Sequence, residues 1–235
     1  MTNQVGMFSC TARRKRCALS SAAWLFFASA TALGAQMTPY AGVIGGVATI
    51  SADGGVQTTG SGLSLSSYAP SNGGALNVFA GLPIHNYVSL QIDYIWNQNR
   101  LQLNSATSDS NVFYQEERSS TQQAVILDGL LYFRDRRSRI RPYLGVGVGA
   151  AHLSSTETKL VAAGGNPVLP PSHFASTDPV LRSHVGIDLR LAARLDFRYS
   201  FSDTIGRNPI SKYLDPPGTR LLENFQNLFG FVVRF

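Results

Sequence analysis

Cysteine is nearly absent from this sequence of 235 residues. Cys10 and Cys17 are the only two, and both lie in a basic and apolar segment at the N-terminus. If that segment is removed, the mature chain contains no thiol, which excludes a disulfide framework and a thiolate site. Lysine is also scarce, because only Lys159 and Lys212 follow the N-terminal segment.

Long apolar runs are absent as well. No run beyond the N-terminal segment approaches the roughly 18 consecutive apolar residues that indicate a transmembrane helix. The N-terminal run, residues 17–32, follows the basic residues 13–16 and leads into small residues up to Ala35. This order is typical of a secretory signal peptide, and a membrane anchor is the alternative. We predict a signal peptide at residues 1–35 and a single domain at residues 36–235.

The basic character of the full chain belongs mainly to this leader. Without it, sixteen basic residues stand against fourteen acidic ones. The mature chain therefore gives no indication of a nucleic-acid partner.

The mature chain alternates between apolar and polar residues with a period of two, which predicts β-strands. We predict eight strands, at residues 39–50, 73–82, 87–100, 122–133, 141–152, 180–189, 194–202 and 224–235. Longer loops are expected at residues 51–72, 103–121, 154–179 and 203–223, with short turns between the other strands. Even strand number and alternating loop lengths are typical of a transmembrane β-barrel with short periplasmic turns and long extracellular loops.

The two faces of each strand can be assigned from their charges. The apolar faces carry no charge, whereas the polar faces hold four carboxylates and four guanidinium groups: Asp93, Asp128, Asp188, Asp196, Arg190, Arg194, Arg198 and Arg234. A soluble barrel with an apolar interior is the rival, but its exterior is usually rich in Lys and Glu. We therefore predict that the apolar faces meet lipid and that these eight charges lie inside. They either form a salt-bridged plug or line a narrow pore. Inward glycines in the first and fifth strands, Gly145 and Gly147 among them, make room for large side chains.

The last strand ends on an aromatic ring. Phe229, Phe231, Val233 and Phe235 share one face of it. This pattern resembles the C-terminal strand of bacterial outer-membrane barrels, in which it is the signal read by the barrel-assembly machinery.

The mature chain as a whole resembles the small outer-membrane barrels of the OmpA and opacity-protein type, without a periplasmic domain. The resemblance implies an all-β, eight-stranded antiparallel transmembrane barrel in the bacterial outer membrane. It also implies contact with outer-membrane lipid, lipopolysaccharide and the assembly machinery. We expect a structural or surface-interaction role through the long loops, no enzymatic activity and no cofactor, and the ligand of the loops is left open.

Two further groups of residues are candidate sites. His152 and Ser154 share a face at the end of the fifth strand, and a base beside a hydroxyl is the arrangement of an activated nucleophile. This pair is the basis of a less favoured alternative, a lipid-modifying enzyme. The arginine-rich turn at residues 134–141 could bind phosphate or could be a solvated turn. No histidine has the spacing of a metal ligand.

Overall fold

The computed structural model describes residues 38–59, 62–108, 112–164 and 169–235. The predicted signal peptide at residues 1–35 lies outside these residues. The described residues contain ten strands: β1 (Tyr40–Ser51), β2 (Gly55–Thr59), β3 (Gly62–Pro70), β4 (Asn72–Pro83), β5 (Val88–Thr107), β6 (Val112–Tyr132), β7 (Ile140–Ala163), β8 (His173–Arg190), β9 (Leu195–Arg207) and β10 (Leu221–Arg234). A short 3-10 helix, Ser211–Tyr213, precedes β10. Within the described residues no helix is long and apolar enough to cross a membrane.

Eight of these strands close into an antiparallel ring in the order β1, β4, β5, β6, β7, β8, β9, β10. The first and last strands pair with each other, from Tyr40 with Arg234 to Ser51 with Glu223. Closure leaves no free edge at the level of the ring, so every strand there has a partner on both sides. The prediction of an eight-stranded antiparallel barrel is confirmed.

The two remaining strands extend one hairpin of the ring. In β1 and β4 Tyr40 pairs with Gly81, and in β2 and β3 Gly55 pairs with Ser66. In both pairs the two residue numbers add up to the same value, so β2 and β3 continue the same register. They are the far end of the β1–β4 hairpin beyond a short interruption.

Three of the predicted loops were wrong in large part. Strands β2 and β3 occupy most of residues 51–72, β5 and β6 reach Thr107 and Val112, and β7 and β8 reach Ala163 and His173. The barrel wall therefore continues past the predicted strand ends as three hairpin extensions. The physical reason is visible in β5, where the apolar residues change from the outer to the inner face along the strand, so the apolar face that predicts the strand stops before the strand does.

The opposite end of the barrel has short turns. The β6–β7 turn is held by Asp135, whose Oδ1 accepts hydrogen bonds from the Ser138 hydroxyl and from the backbone N–H groups of Arg137 and Ser138, each at 3.0 Å. The hydroxyl of Ser138, with these N–H groups, holds the pKa of Asp135 below its ordinary value. The chain end also lies here, since the Phe235 N–H donates to the Pro39 carbonyl at 3.0 Å. We call this end the inner mouth; it is the periplasmic end in barrels of this kind.

The outer surface of the ring is apolar between the two ends. Its exposed side chains are aliphatic and aromatic, and they include Val43, Val78, Ile92, Leu127, Val146, Val185, Phe201 and Phe231. The buried side chains at the same level are mostly polar or charged. Lipid on the outside and polar groups on the inside are what a membrane barrel requires.

Candidate functional site

The barrel interior holds a continuous charge network, which we take as the candidate site. Its centre is Arg198, a β9 side chain that is only 1% exposed. Its Nε and Nη2 donate to Oδ1 and Oδ2 of Asp188 at 2.6 and 2.8 Å. Nη2 also donates to the Tyr132 hydroxyl at 2.9 Å, and Nη1 donates to Gln91 Oε1 at 2.8 Å. The guanidinium lies 4.8 Å from the centre of the Phe79 ring. All three guanidinium nitrogens of this buried cation thus have a hydrogen-bond acceptor.

A second cluster lies one step further into the barrel. Arg182 Nη1 is 3.2 Å from Asp93 Oδ1 and 2.9 Å from Asp128 Oδ2, so one guanidinium joins two carboxylates. His184 Nε2 is 3.5 Å from the other oxygen of Asp128. Gln91 Nε2 donates to Asp93 Oδ2 at 2.8 Å and connects this cluster to Arg198. Buried ion pairs of this geometry stabilise one another only while all partners remain.

Glycines make room for this cluster. A Cβ atom at Gly145 would overlap the His184 ring, and one at Gly147 would overlap the Asp128 carboxylate. Both glycines are in β7, opposite the large side chains as the sequence predicted. A larger residue at either position would displace a charged group from the network.

The structure places the eight predicted interior charges unequally. Six face the interior and have the contacts of an ion-paired core: Asp93, Asp128, Asp188, Asp196, Arg198 and Arg234. Arg234 Nε donates to Asp196 Oδ2 at 2.6 Å near the inner mouth. Two do not join them. Arg194 is exposed in the turn before β9, and Arg190 donates to the backbone carbonyls of Arg136 and Arg137 across the β6–β7 turn. The alternation that places residues inside ends where the strands end.

Sequence reasoning missed Arg182, His184 and Arg141, all of which are buried. The sequence did contain a signal for Arg182 and His184. Both lie an even number of residues before Asp188 in the predicted strand at residues 180–189, so they share its inward face. Arg141 lies at the first inward position of β7, opposite Asp188 in the register. Sequence alone did not separate it from the exposed arginines of the turn that precedes it.

Uncharged polar side chains fill the middle of the barrel. Asn224 Nδ2 donates to Gln122 Oε1 at 2.5 Å and to Asn97 Oδ1 at 3.1 Å. Asn97 Nδ2 donates to Asn99 Oδ1 at 2.7 Å, and Asn99 Nδ2 donates to the Ala48 carbonyl at 2.7 Å. This amide layer spans the lumen between opposite walls.

The far end of the lumen is apolar, and we call its buried residues the outer cap. They are Ile50, Leu101, Leu103, Tyr114, Leu153, Ile210, Leu214 and Leu222, with Tyr68 and Phe174 packed against them. Ile210 and Leu214 come from the β9–β10 connection, which therefore folds into the mouth. Two hydroxyl groups of the wall hold this connection. Ser66 Oγ donates to the Pro216 carbonyl at 2.6 Å, and Ser105 Oγ donates to the Asp215 carbonyl at 2.5 Å. Burial raises the pKa of Tyr68 to about 12 and raises the pKa of Tyr114.

A buried ion pair lies beside the outer cap. Arg118 forms an ion pair with Glu116, and its Nε donates to Ser155 Oγ at 2.9 Å. Its Nη2 donates to the Pro171 carbonyl at 3.0 Å. Arg118 thus ties β6 to β7 and to the chain that enters β8. Both charges fall in a predicted loop, which is why the sequence did not place them inside.

The other two candidate groups have different surroundings. His152 is exposed on the outer face, where its Nδ1 lies 2.8 Å from Thr177 Oγ1. The geometry therefore gives no support to a His152 and Ser154 nucleophile. In the turn, Arg134, Arg137 and Arg139 are exposed, whereas Arg141 is buried. No group of three or more His, Cys, Asp and Glu side chains in the described part of the chain could hold a metal ion.

A cavity of about 100 Å³ opens at the inner mouth. Its charged lining consists of Arg136, Arg141, Arg198, Arg234, Asp188 and Asp196. Between this cavity and the outer cap, the charge network and the amide layer occupy the lumen. Side chains therefore occupy the lumen at these levels among the described residues.

The residues proposed as an assembly signal all face outward. Phe229, Phe231, Val233 and Phe235 are between 43% and 63% exposed, so they are available to lipid or to another protein surface. Phe231 packs edge-on against Phe197, with ring centres 6.0 Å apart. Their role as a signal stays a prediction.

Comparison with known proteins agrees with this architecture. The chain is similar in structure to Neisserial surface protein A (NspA), with a TM-score of 0.53 and 15% identity over 84% of this chain and 97% of that one. The outer membrane protein OprG from Pseudomonas aeruginosa gives a TM-score of 0.47 at 14% identity over 84% and 96% of the two chains. No curated protein sequence matches significantly. The family of the outer membrane protein beta-barrel domain matches residues 18–235. With a closed eight-stranded ring, a lipid-facing apolar belt and a family match over most of its length, the chain belongs to the outer membrane protein β-barrel family and is a protein of the bacterial outer membrane.

Proposed function

We propose that this barrel is a non-conducting surface protein whose extracellular end, rather than its lumen, carries its function. The observation that carries the proposal is the occupied lumen. Arg198 of β9 spans it to Gln91 of β5 at one level, the amide layer fills the next, and the outer cap closes the far end. An eight-stranded ring has an interior just wide enough for side chains to fill.

The hairpin extensions support a surface-interaction role. They are β-paired up to Thr59 and Gly62, Thr107 and Val112, and Ala163 on β7. Arg118 and the outer cap connect them to one another. A surface held in this way binds a partner at a smaller entropic cost than mobile loops do. The identity of that partner stays open.

The outer belt and the last strand suggest the membrane partners. The uncharged aliphatic and aromatic surface is suited to outer-membrane lipid and to the acyl chains of lipopolysaccharide. The outward aromatic face of β10 is suited to recognition by the barrel-assembly machinery, as the family resemblance implies. We propose no enzymatic role, since His152 contacts a threonine and lies on the outer surface.

A narrow pore is the second candidate. Several interior polar atoms have no hydrogen-bond partner among the described residues, including Thr204 Oγ1 and Gln226 Nε2. Buried polar atoms of this kind are often bridged by water. A file of water past these groups would be needed for conduction.

Single-channel recording separates the two candidates. Mature protein, residues 36–235, is refolded and its folded state is verified by a gel mobility that changes on boiling. In a planar bilayer we expect insertion without discrete conductance steps. Reproducible steps that detergent alone does not give would contradict the proposal and favour the pore.

The surface role is tested by shortening one hairpin. Ser105 and Tyr114 are partners across β5 and β6, so residues 106–113 can be replaced by an Asn-Gly turn, which suits a two-residue hairpin loop. Cells displaying the wild type or this variant are compared on an array of immobilised glycans and extracellular proteins. We expect at least one signal of the wild type to be lost in the variant. Identical binding profiles would count against a role for this extension.

A further inference from the structure

The inner mouth carries more positive than negative charge around an open cavity. Four guanidinium groups and two carboxylates line the cavity of about 100 Å³. A water molecule needs at least roughly 10–15 Å³ of such space, so the cavity has room for several waters or one small oxyanion. This charge excess lies apart from the Asp93 and Asp128 cluster deeper in the barrel.

The two carboxylates are already engaged. Asp188 accepts from Arg198 on both oxygens and from the Tyr132 hydroxyl at 3.1 Å. Asp196 accepts from Arg234 on both oxygens. Neither carboxylate forms an ion pair with Arg141. Arg141 is therefore a lining cation that neither of these carboxylates pairs with.

Arg141 has the surroundings of an anion ligand. It is only 8% exposed, and it faces Asp188 across the β7–β8 register without forming an ion pair with it. Its guanidinium lies 3.7 Å from the centre of the Tyr132 ring, and its Nη2 is 3.5 Å from the Asn86 carbonyl. Its Nε is buried without a hydrogen-bond partner. A buried cation with an unused donor beside a cavity is costly unless an anion occupies that cavity.

Neighbouring residues hold the rest of the cavity in place. Arg136 lines it, and its Nη2 donates to the Pro83 carbonyl at 2.9 Å, which draws the β6–β7 turn across the mouth. Arg190 donates to backbone carbonyls of the same turn. The planar fork of arginine matches the oxygens of phosphate, and such charge-assisted bonds are stronger than neutral ones.

We propose that the inner-mouth cavity is a binding site for a phosphate group, with Arg141 as its principal ligand and Arg136 as a second. The group is either the headgroup of an inner-leaflet phospholipid or a free phosphate of the periplasm. This site is independent of the proposed surface role, because it lies at the opposite end of the barrel.

The first test is titration of folded protein with inorganic phosphate in a detergent free of phosphorus. At about 0.1 M NaCl, where distant surface charges are largely screened, calorimetry should give saturable binding with a Kd of about 1 mM or lower. R141Q is expected to weaken this binding by at least about tenfold. The matched control is R139Q, which removes the same charge from an exposed residue of the same turn; a screened surface charge should change the affinity by no more than about twofold.

R141K keeps the charge but loses the planar fork, so it should bind with intermediate affinity. It also provides a second variant if R141Q does not fold, which gel mobility before and after boiling would reveal. Absence of saturable binding by the wild type, together with no retained phospholipid, would overturn the proposal. Equal losses in R139Q and R141Q would overturn it too, because they would show attraction to net charge rather than a site.

The two sources of phosphate are separated by native mass spectrometry of protein extracted from membranes. A phospholipid adduct on the wild type and R139Q, but not on R141Q, would identify the headgroup as the ligand. Saturable binding of inorganic phosphate with no retained phospholipid would identify the free ion. Neither adduct nor binding would show that the cavity holds water only.

Discussion

The two levels of the barrel interior have opposite chemistry. At the level of the apolar belt, the buried side chains are ion pairs and amides, centred on Arg198 and on Asn224. At the extracellular end, the buried side chains are aliphatic and aromatic, centred on Leu103 and Ile210. The outer surface changes in the opposite sense.

Strand β5 shows this reversal within one element. Along its inward face the residues run Ser89, Gln91, Asp93, Ile95, Asn97, Asn99, Leu101, Leu103. Along its outward face they run Leu90, Ile92, Tyr94, Trp96, Gln98, Arg100, Gln102, Asn104. The in-and-out alternation of β5 is never interrupted, but the apolar residues move from the outer face to the inner face near Asn99.

The reversal follows from the solvent outside the wall. In lipid the outer face must be apolar, and the lumen can hold polar groups that satisfy one another. Beyond the lipid the outer face meets water, so stability there comes from apolar burial inside the wall. One chain therefore contains a membrane barrel and the core of a small water-exposed β-domain, end to end.

The largest expected effect is the loss of unfolding free energy when the charge network around Arg198 is disrupted. R198M keeps the length of the side chain but leaves Asp188 buried with only the Tyr132 hydroxyl as a partner. Removing one member of a buried ion pair costs about 3–5 kcal/mol of unfolding free energy. Urea unfolding in lipid vesicles, followed by tryptophan fluorescence, measures this difference.

The control for R198M is R194M, which makes the same chemical change at the exposed turn. Its unfolding free energy should stay within about 0.5 kcal/mol of the wild type. If both variants unfolded alike, the charge network would contribute nothing particular to stability.

A smaller and more local effect is expected at the apolar level. L103A removes a fully buried side chain from the outer cap, and such truncations cost about 2–4 kcal/mol when the surroundings relax little. Because the ring in the membrane keeps its own contacts, the loss should appear as faster amide hydrogen exchange at the ends of β5 and β6. Amides at the level of Asp93 should keep their protection.

The matched control is L65A, on the exposed outer face of the same extracellular end. In L65A the free energy of opening that is calculated from the exchange rates should stay within about 0.5 kcal/mol of the wild-type value. Faster exchange along the whole barrel in L103A would mean that the two levels unfold together and not independently.

The same comparison explains how far the sequence could lead. At the membrane level, lipid imposes an uninterrupted apolar face, so alternation alone could predict the eight spans and six of their inward charges. Arg182 and His184 were within reach of that argument, because they lie at inward positions of a predicted strand. The same argument fails at the short turns. Arg190 and Arg194 lie at the β8–β9 turn, where alternation no longer determines whether a side chain points into the barrel or away from it.

The extracellular end could not be predicted in this way. The apolar residues of β5 change from the outer to the inner face near Asn99. The outer apolar alternation therefore stops there, and the sequence predicts that the strand ends, although it continues to Thr107. Glu116 and Arg118 then look like loop charges, although both are buried. Ile210 and Leu214 have no period at all, because they come from a connection whose position is fixed only by the cap that it covers. Local pattern cannot encode such a contact between distant segments.

The smallest expected effect concerns the pH dependence of the outer cap. Burial raises the pKa of Tyr68 to about 12, while its ordinary value is 10.0. An acid whose pKa is raised in the folded state binds its proton more tightly there, so its contribution to stability is complete below pH 10 and is lost as the pH rises towards 12. In a spectrophotometric titration of tyrosinate absorbance, the wild type should therefore show one more late-titrating tyrosine than Y68F. After unfolding in denaturant this late step should disappear from the wild type. A Y68F curve that differs from the wild type near pH 10 instead would place Tyr68 in water, and the apolar level of the barrel would then be less closed than Leu103 and Ile210 indicate.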